Sequence, residues 1–169
     1  MTSLVLTVIG DDREGLVAAL ADVVDAHGAN WENSRLAELD GTFAGVIQVS
    51  VPPERVDALR EGLKGLEGLL TVVVRAAEEV HAPRGRSVTL QVLGHDRPGI
   101  VREISSALRA RSLSIESMAT EARDAAMAGG RLFEATAELR VPDDVDLADV
   151  VADLERIAAE IQVDVTFVE

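Results

Sequence analysis

The chain has 169 residues, 47% hydrophobic and 27% charged, a globular mix with room for one ordinary domain or two small ones. Acids outnumber bases 30 to 16 and both halves are acidic, which argues against direct nucleic-acid binding and against an anionic membrane surface. With no cysteine there are no disulfides, thiolate nucleophiles or thiolate metal sites, and with 2% aromatics the core must be aliphatic.

In chain order, Leu4–Ile9 reads as a rich apolar strand, and Leu16, Leu20, Val23 and Val24 recur at helical spacing, with Gly28 where a helix C-cap belongs. A weakly alternating strand is expected from Asn30 to Leu39, and a better one from Phe43 to Val51, ended by Pro52-Pro53. Val56, Leu59, Leu63 and Leu66 mark a second helix, and Leu70–Val74 a last strand. The order then repeats. Val88–Val92 is a half-buried strand, Ile100–Leu108 a helix, Leu113–Ala122 and Arg131–Val141 strands, Leu147–Glu160 a helix and Val163–Val168 a strand. Asp143-Asp144-Val145-Asp146 places acid before the last helix, where it complements the dipole. The Met1-Thr2-Ser3-Leu4 start lacks a basic n-region, and no apolar run is long enough for a bilayer, so a cytoplasmic protein is expected.

The repeat is visible in the residues themselves. Gly10-Asp11-Asp12-Arg13-Glu14-Gly15-Leu16-Val17 returns 84 residues later as Gly94-His95-Asp96-Arg97-Pro98-Gly99-Ile100-Val101. Phe43 and Val51-Pro52 return 90 residues later as Phe133 and Val141-Pro142, so the second copy holds an insertion, assigned to Asp124–Gly130. The expected organisation is residues 1–76 as a first domain, 77–86 as a polar linker and 87–169 as a second domain. Each half reads strand, helix, strand, strand, helix, strand. That is a split βαβ, ferredoxin-like unit of the α+β class, βαββαβ, with a four-stranded antiparallel sheet covered on one face by two helices. Halves of this size are marginal alone and gain by pairing.

The repeated loop leads from the first strand into the first helix. Its glycines let backbone N–H groups approach a ligand, and a helix N-terminus favours an anion such as a carboxylate. The same pattern is also met by Asp12 and Asp96 acting as helix caps, with Arg13 and Arg97 solvated or ion-paired. Asn30 begins the second strand, where its amide either completes a turn or, with strands paired across an interface, holds a charged ligand group. Trp31, the sole tryptophan, reads as core or interface filling. His27, His81 and His95 have no local ligand spacing, so no metal is expected, and the Gly94/Gly99 spacing is not a dinucleotide loop.

Gly94-His95-Asp96-Arg97-Pro98-Gly99-Ile100-Val101, set between the first strand and first helix of a βαββαβ unit, resembles the opening motif of ACT domains. Copy one resembles it too, with Glu14 where the family commonly has Pro. The tandem is similar to the glycine cleavage system transcriptional repressor-like group of two-ACT proteins. The resemblance implies a regulatory, non-catalytic sensor without cofactor that binds a small amino acid, glycine or serine. It further implies action through a regulator protein rather than on DNA, and a homo-oligomer. In such domains the ligand often lies between two ACT units, held by the first loop and the residue beginning the second strand. The implied ligand-binding residues are Asp11, Asp12, Arg13, Glu14, Gly15 and Asn30, then His95, Asp96, Arg97, Pro98, Gly99 and Ser114. Ser114 replaces the Asn of copy one. The competing classes are a ligand-independent ferredoxin-like adaptor and an enzyme. For the latter, an acylphosphatase-like use of Arg13 and Asn30 has one Arg in an acidic chain to stand on, and the deformylases that ACT units also resemble need a catalytic domain after them.

Overall fold

The computed structural model describes residues 1–77, 85–125 and 129–168. The chain forms two compact units, Met1–Val80 and His81–Glu169. The first contains β1 (Thr2–Asp11), α1 (Leu16–Ala26), β2 (Asn30–Leu39), β3 (Thr42–Val51), a 3-10 turn at Pro53–Arg55, α2 (Val56–Lys64) and β4 (Thr71–Ala76). The second contains β5 (Arg86–His95), α3 (Ile100–Ala110), β6 (Ser114–Asp124), β7 (Arg131–Val141), α4 (Leu147–Ile161) and β8 (Val163–Val168). Most of the expected linker 77–86 lies outside the described residues, and Arg86 belongs to β5 because it pairs with Val141. Residues 126–128 of the expected insertion also lie outside them.

Each unit holds one four-stranded antiparallel sheet, in the order β2-β3-β1-β4 and β6-β7-β5-β8. The first strand is central in both because a helix connection carries the chain past it twice. Alternation sorts the central strands. Leu4, Leu6 and Val8 point into the first core with Ile47, Val49 and Val51, while Val88, Leu90 and Val92 do the same in the second with Leu139 and Val141. The helices bury one stripe each: Leu16, Leu20 and Val24 on α1; Leu59 and Leu63 on α2; Ile100, Ala107 and Leu108 on α3; Val150, Leu154 and Ala158 on α4. Trp31 packs, half-buried, against the first core.

The helix ends differ from expectation in one respect. Gly15 and Gly99 are the N-cap residues of α1 and α3, at φ 85° and 90°, and neither helix has a side-chain cap. Asp12 and Asp96 therefore do not cap them, because the turn is made by a left-handed glycine rather than an extended Asp. Asp146 does cap α4, accepting from the Ala148 N–H at 2.8 Å. Gly28 terminates α1 at φ 63°, with Gly28 N–H and Ala29 N–H donating to Asp25 and Val24.

Candidate functional site

The first strand of each unit runs through its opening motif residues before the chain turns. Asp11 still pairs with Thr42, and His95 with Leu132, so both belong to strand ends. The loop is then tied to the neighbouring hairpin. Asp12 N–H donates to Gly41 O at 2.8 Å, and Asp96 N–H to Arg131 O at 2.9 Å. Glycine is required before the turn for packing: a Cβ at Gly10 would lie 2.5 Å from Leu69 O, and one at Gly94 2.5 Å from Val163 Cγ1. At the turn it is required for conformation. No heavy atom lies within 4 Å of where a Gly15 Cβ would stand, and no side chain caps the start of α1.

The arginines of the two loops have different surroundings. Arg13 is 46% exposed and reaches only Asp11, at 4.0 Å, among the described residues. Arg97 donates through two nitrogens to both carboxylate oxygens of Glu103, at 2.9 and 2.6 Å, and through one of them to Ile161 O at 3.2 Å. It therefore ties the loop to α3 and to the end of α4. The bond from Arg97 holds the Glu103 carboxyl below its ordinary range. Glu103 Oε1 also lies 3.9 Å from where a Gly99 Cβ would stand, so this carboxylate hangs over the head of α3. The equivalent position in the first copy is Ala19. Glu14 and Pro98 are both exposed.

Asn30 lies at the other end of its sheet. It pairs with Ser50, which pairs with Ser3, whereas the loop follows Asp11. From Ser3 to Asp11 is about 26 Å of strand at about 3.3 Å per residue. The structure thus does not bring Asn30 and its own unit's loop together, and the same holds for Ser114, whose ladder partner is Arg140 beside Ser87. Asn30 Nδ2 donates to Glu32 Oε1 at 2.8 Å, and Ser50 Oγ donates to the same oxygen at 2.6 Å. Those two bonds, Ser50 first, lower the Glu32 carboxyl from its ordinary value. Glu32 sits in a β-bulge between Trp31 and Asn33, and Glu116 in the matching bulge between Ile115 and Ser117. There Arg140 replaces Ser50, donating to Glu116 at 2.9 and 2.6 Å.

Two depressions of about 370 Å³ are lined by none of the residues of either loop. One is on the open face of the second sheet among Gln91, Leu93, Glu134, Thr136, Asp164 and Thr166, and one lies beside α2 among Arg60, Glu61, Lys64 and Val72. Both are shallow surface features. Among the described residues no three His, Asp or Glu side chains gather as metal ligands, and no helix is long and apolar enough to cross a membrane. His81 lies outside the described residues. Glu103 is the residue that sequence reasoning missed; comparing it with Ala19 across the repeat was the available signal.

Comparison with known proteins agrees with this fold. The ACT domain family matches residues 2–76 and, in a second variant, residues 84–164. The glycine cleavage system transcriptional repressor of Escherichia coli is 30% identical over 125 residues, covering 72% of this chain and 66% of that protein, so the match spans just under two thirds of that relative. A UPF0237 protein of Methanopyrus kandleri is 39% identical over 84 residues, covering 48% of this chain and 93% of its own. The crystal structure of an unknown protein from Galdieria sulphuraria superimposes with a TM-score of 0.88 at 30% identity, covering 98% of this chain and 96% of that one.

Proposed function

Because the chain belongs to the ACT-domain family through both of its units, we propose that it is a regulatory sensor of a small amino acid, glycine or serine. In this reading it is not an enzyme and acts in the cytoplasm through a regulator protein, in transcriptional control of amino-acid metabolism. The resemblance to a repressor supports that setting. The observation that carries the ligand site is the first loop. An uncapped helix start, an open left-handed glycine and a half-exposed Arg13 follow one another along this short segment of chain. The ligand carboxylate meets the N–H groups around Arg13–Gly15, where the helix dipole and the guanidinium both favour negative charge. Asp11, Asp12 and Glu14, exposed on the same segment, supply carboxylates for the ligand ammonium. Asn30, at the far end of its own sheet, joins the site only when supplied by a second copy of the chain.

In the second loop, His95, Asp96, Pro98 and Gly99 surround an arginine whose carboxylate partner is already Glu103. We assign ligand binding to the first loop and treat the second, with Ser114, as shut. A thermal-shift screen of the twenty amino acids tests the reading. Glycine or serine is expected to raise the melting temperature, since a ligand that binds the folded state stabilises it by mass action. Silence from all twenty at millimolar concentration replaces the sensor with a ligand-independent adaptor. Trp31 supplies a second readout: its emission changes if Asn30 contributes and stays constant if the loop acts alone.

A further inference from the structure

The open faces of the two sheets are built from equivalent positions and have opposite character. On the first sheet, register lines up three rows across the strands: Ala37, Ala44, Ile9 and Thr71; Arg35, Val46, Thr7 and Val73; Asn33, Gln48, Val5 and Arg75. Ile9, Val46 and Val73 are 50%, 44% and 53% exposed. A solvated sheet face normally alternates to polar residues, so this apolar centre stands out. On the second sheet the same rows read Glu121, Glu134, Leu93 and Asp164; Ala119, Thr136, Gln91 and Thr166; Ser117, Glu138, Thr89 and Val168.

We infer that the open face of the first sheet is a self-association surface, and that its occupant is the same face of a second copy of this chain. Charge selects that occupant. Each chain carries −14, so two copies repel wherever their carboxylates meet. Within the three rows of the first sheet the charged residues are Arg35 and Arg75, both on edge strands, where long stems add apolar surface and the guanidinium groups stay in water. The second sheet presents Glu121, Glu134, Glu138 and Asp164, which a second copy's like face repels and which cost energy to bury against Val46 and Val73. Area agrees. Three strands of ten residues and one of six, about 4.8 Å apart, give the whole face, with Asp11 at one end and Glu32 at the other, a footprint of about 600 Å² per partner. Two such faces reach about 1,200 Å², the lower end of specific interfaces. Aligned sheet-on-sheet packing, with the sheets about 10 Å apart, is the geometry that interdigitates Val5, Ile9, Val46 and Val73.

Sedimentation velocity across a concentration series tests the inference on the full chain. The intact protein is expected to pass from monomer to dimer as concentration rises. V46E and V73E are each expected to raise the dimer dissociation constant at least about tenfold, and the equivalent changes on the second sheet, T136E and T166E, to leave it unchanged. A second readout does not depend on tolerating a buried acid. Because the chain lacks cysteine, V46C carries a single thiol. Its alkylation is expected to be slow at concentrations where the dimer forms and fast on dilution, while T136C reacts fast at both. A protein that stays monomeric throughout overturns the inference, as does a dimer indifferent to V46E and V73E or one in which V46C stays reactive. None of these readouts requires an amino-acid ligand, so they stand or fall apart from the sensor.

Discussion

The loop before α1 and the loop before α3 share a sequence pattern, a left-handed glycine and a tether to the adjacent hairpin, and they differ in what their arginines touch. Arg97 is consumed by Glu103 and Ile161 O, whereas Arg13 has an exposed Asp11 at 4.0 Å. The difference comes from one position, Ala19 against Glu103, six residues beyond each arginine. The chain holds two copies of one loop, and a side chain on the following helix decides which arginine is held. A carboxylate already held on the chain competes without the entropy cost that a free ligand incurs on binding.

The largest contrast concerns the glycine that precedes each loop. Gly10→Ala forces a Cβ to 2.5 Å from the backbone oxygen of Leu69, whereas at Gly94 the atom met at 2.5 Å is a methyl of Val163 and the backbone oxygen of Gln162 is 3.3 Å away. We expect a loss of about 3 kcal/mol for the first and about 1 kcal/mol for the second by denaturant unfolding; equal losses would mean the two units are packed alike at this point. Next in size, Arg13→Ala is expected to weaken glycine or serine binding by a charge-assisted hydrogen bond, about 1.5–3 kcal/mol, roughly ten- to a hundred-fold. Arg97→Ala leaves that affinity unchanged in a calorimetric titration, and a reversal of the pair would move the site to the second loop.

Glu103→Gln sharpens the same comparison. It removes the charge that neutralises Arg97, and the expected result is a second, weaker binding event per chain, where one is expected of the intact protein. No gain in stoichiometry would mean that the second loop is closed by something other than its acid. The smallest effect is on pH. The Glu103 carboxyl is lowered from 4.5 by Arg97, so its contribution to stability is fully present above the unfolded value and is lost as pH falls through the lower folded one. The acid limb of a melting-temperature profile is therefore expected to be shallower in Glu103→Gln. An unchanged limb would leave the latch without weight in folding.

The helices and central strands were legible because their side chains obey one period throughout: Leu16, Leu20 and Val24 at helical spacing, Leu4, Leu6 and Val8 at spacing two. β2 was only faintly legible, and the bulge at Glu32 explains why, since one extra residue breaks the alternation that a reader counts. Asn30 lies far from the loop of its own unit for a topological reason. β1 runs toward the loop and α1 runs back, so β2 begins where β1 began, at the far end of the sheet. The Arg97 latch was illegible from its loop alone, because one of its partners, Ile161, comes from 64 residues away.

The matching bulges also sort what the two units share from what they do not. Trp31 and Asn33 flank one, and Ile115 and Ser117 the other, 84 residues on, the same separation that relates the two loops. The inserted glutamate leaves the flanking residues on their proper faces: Asn30 opposite Ser50 and Asn33 opposite Gln48 share the open side, while Trp31 faces the core. An irregularity repeated at one offset belongs to the pattern that the two units share. The acid of Glu103 and the apolar open face of the first sheet each belong to one copy. The molecule therefore keeps one scaffold in both units, the bulge included, beneath side chains that differ between them.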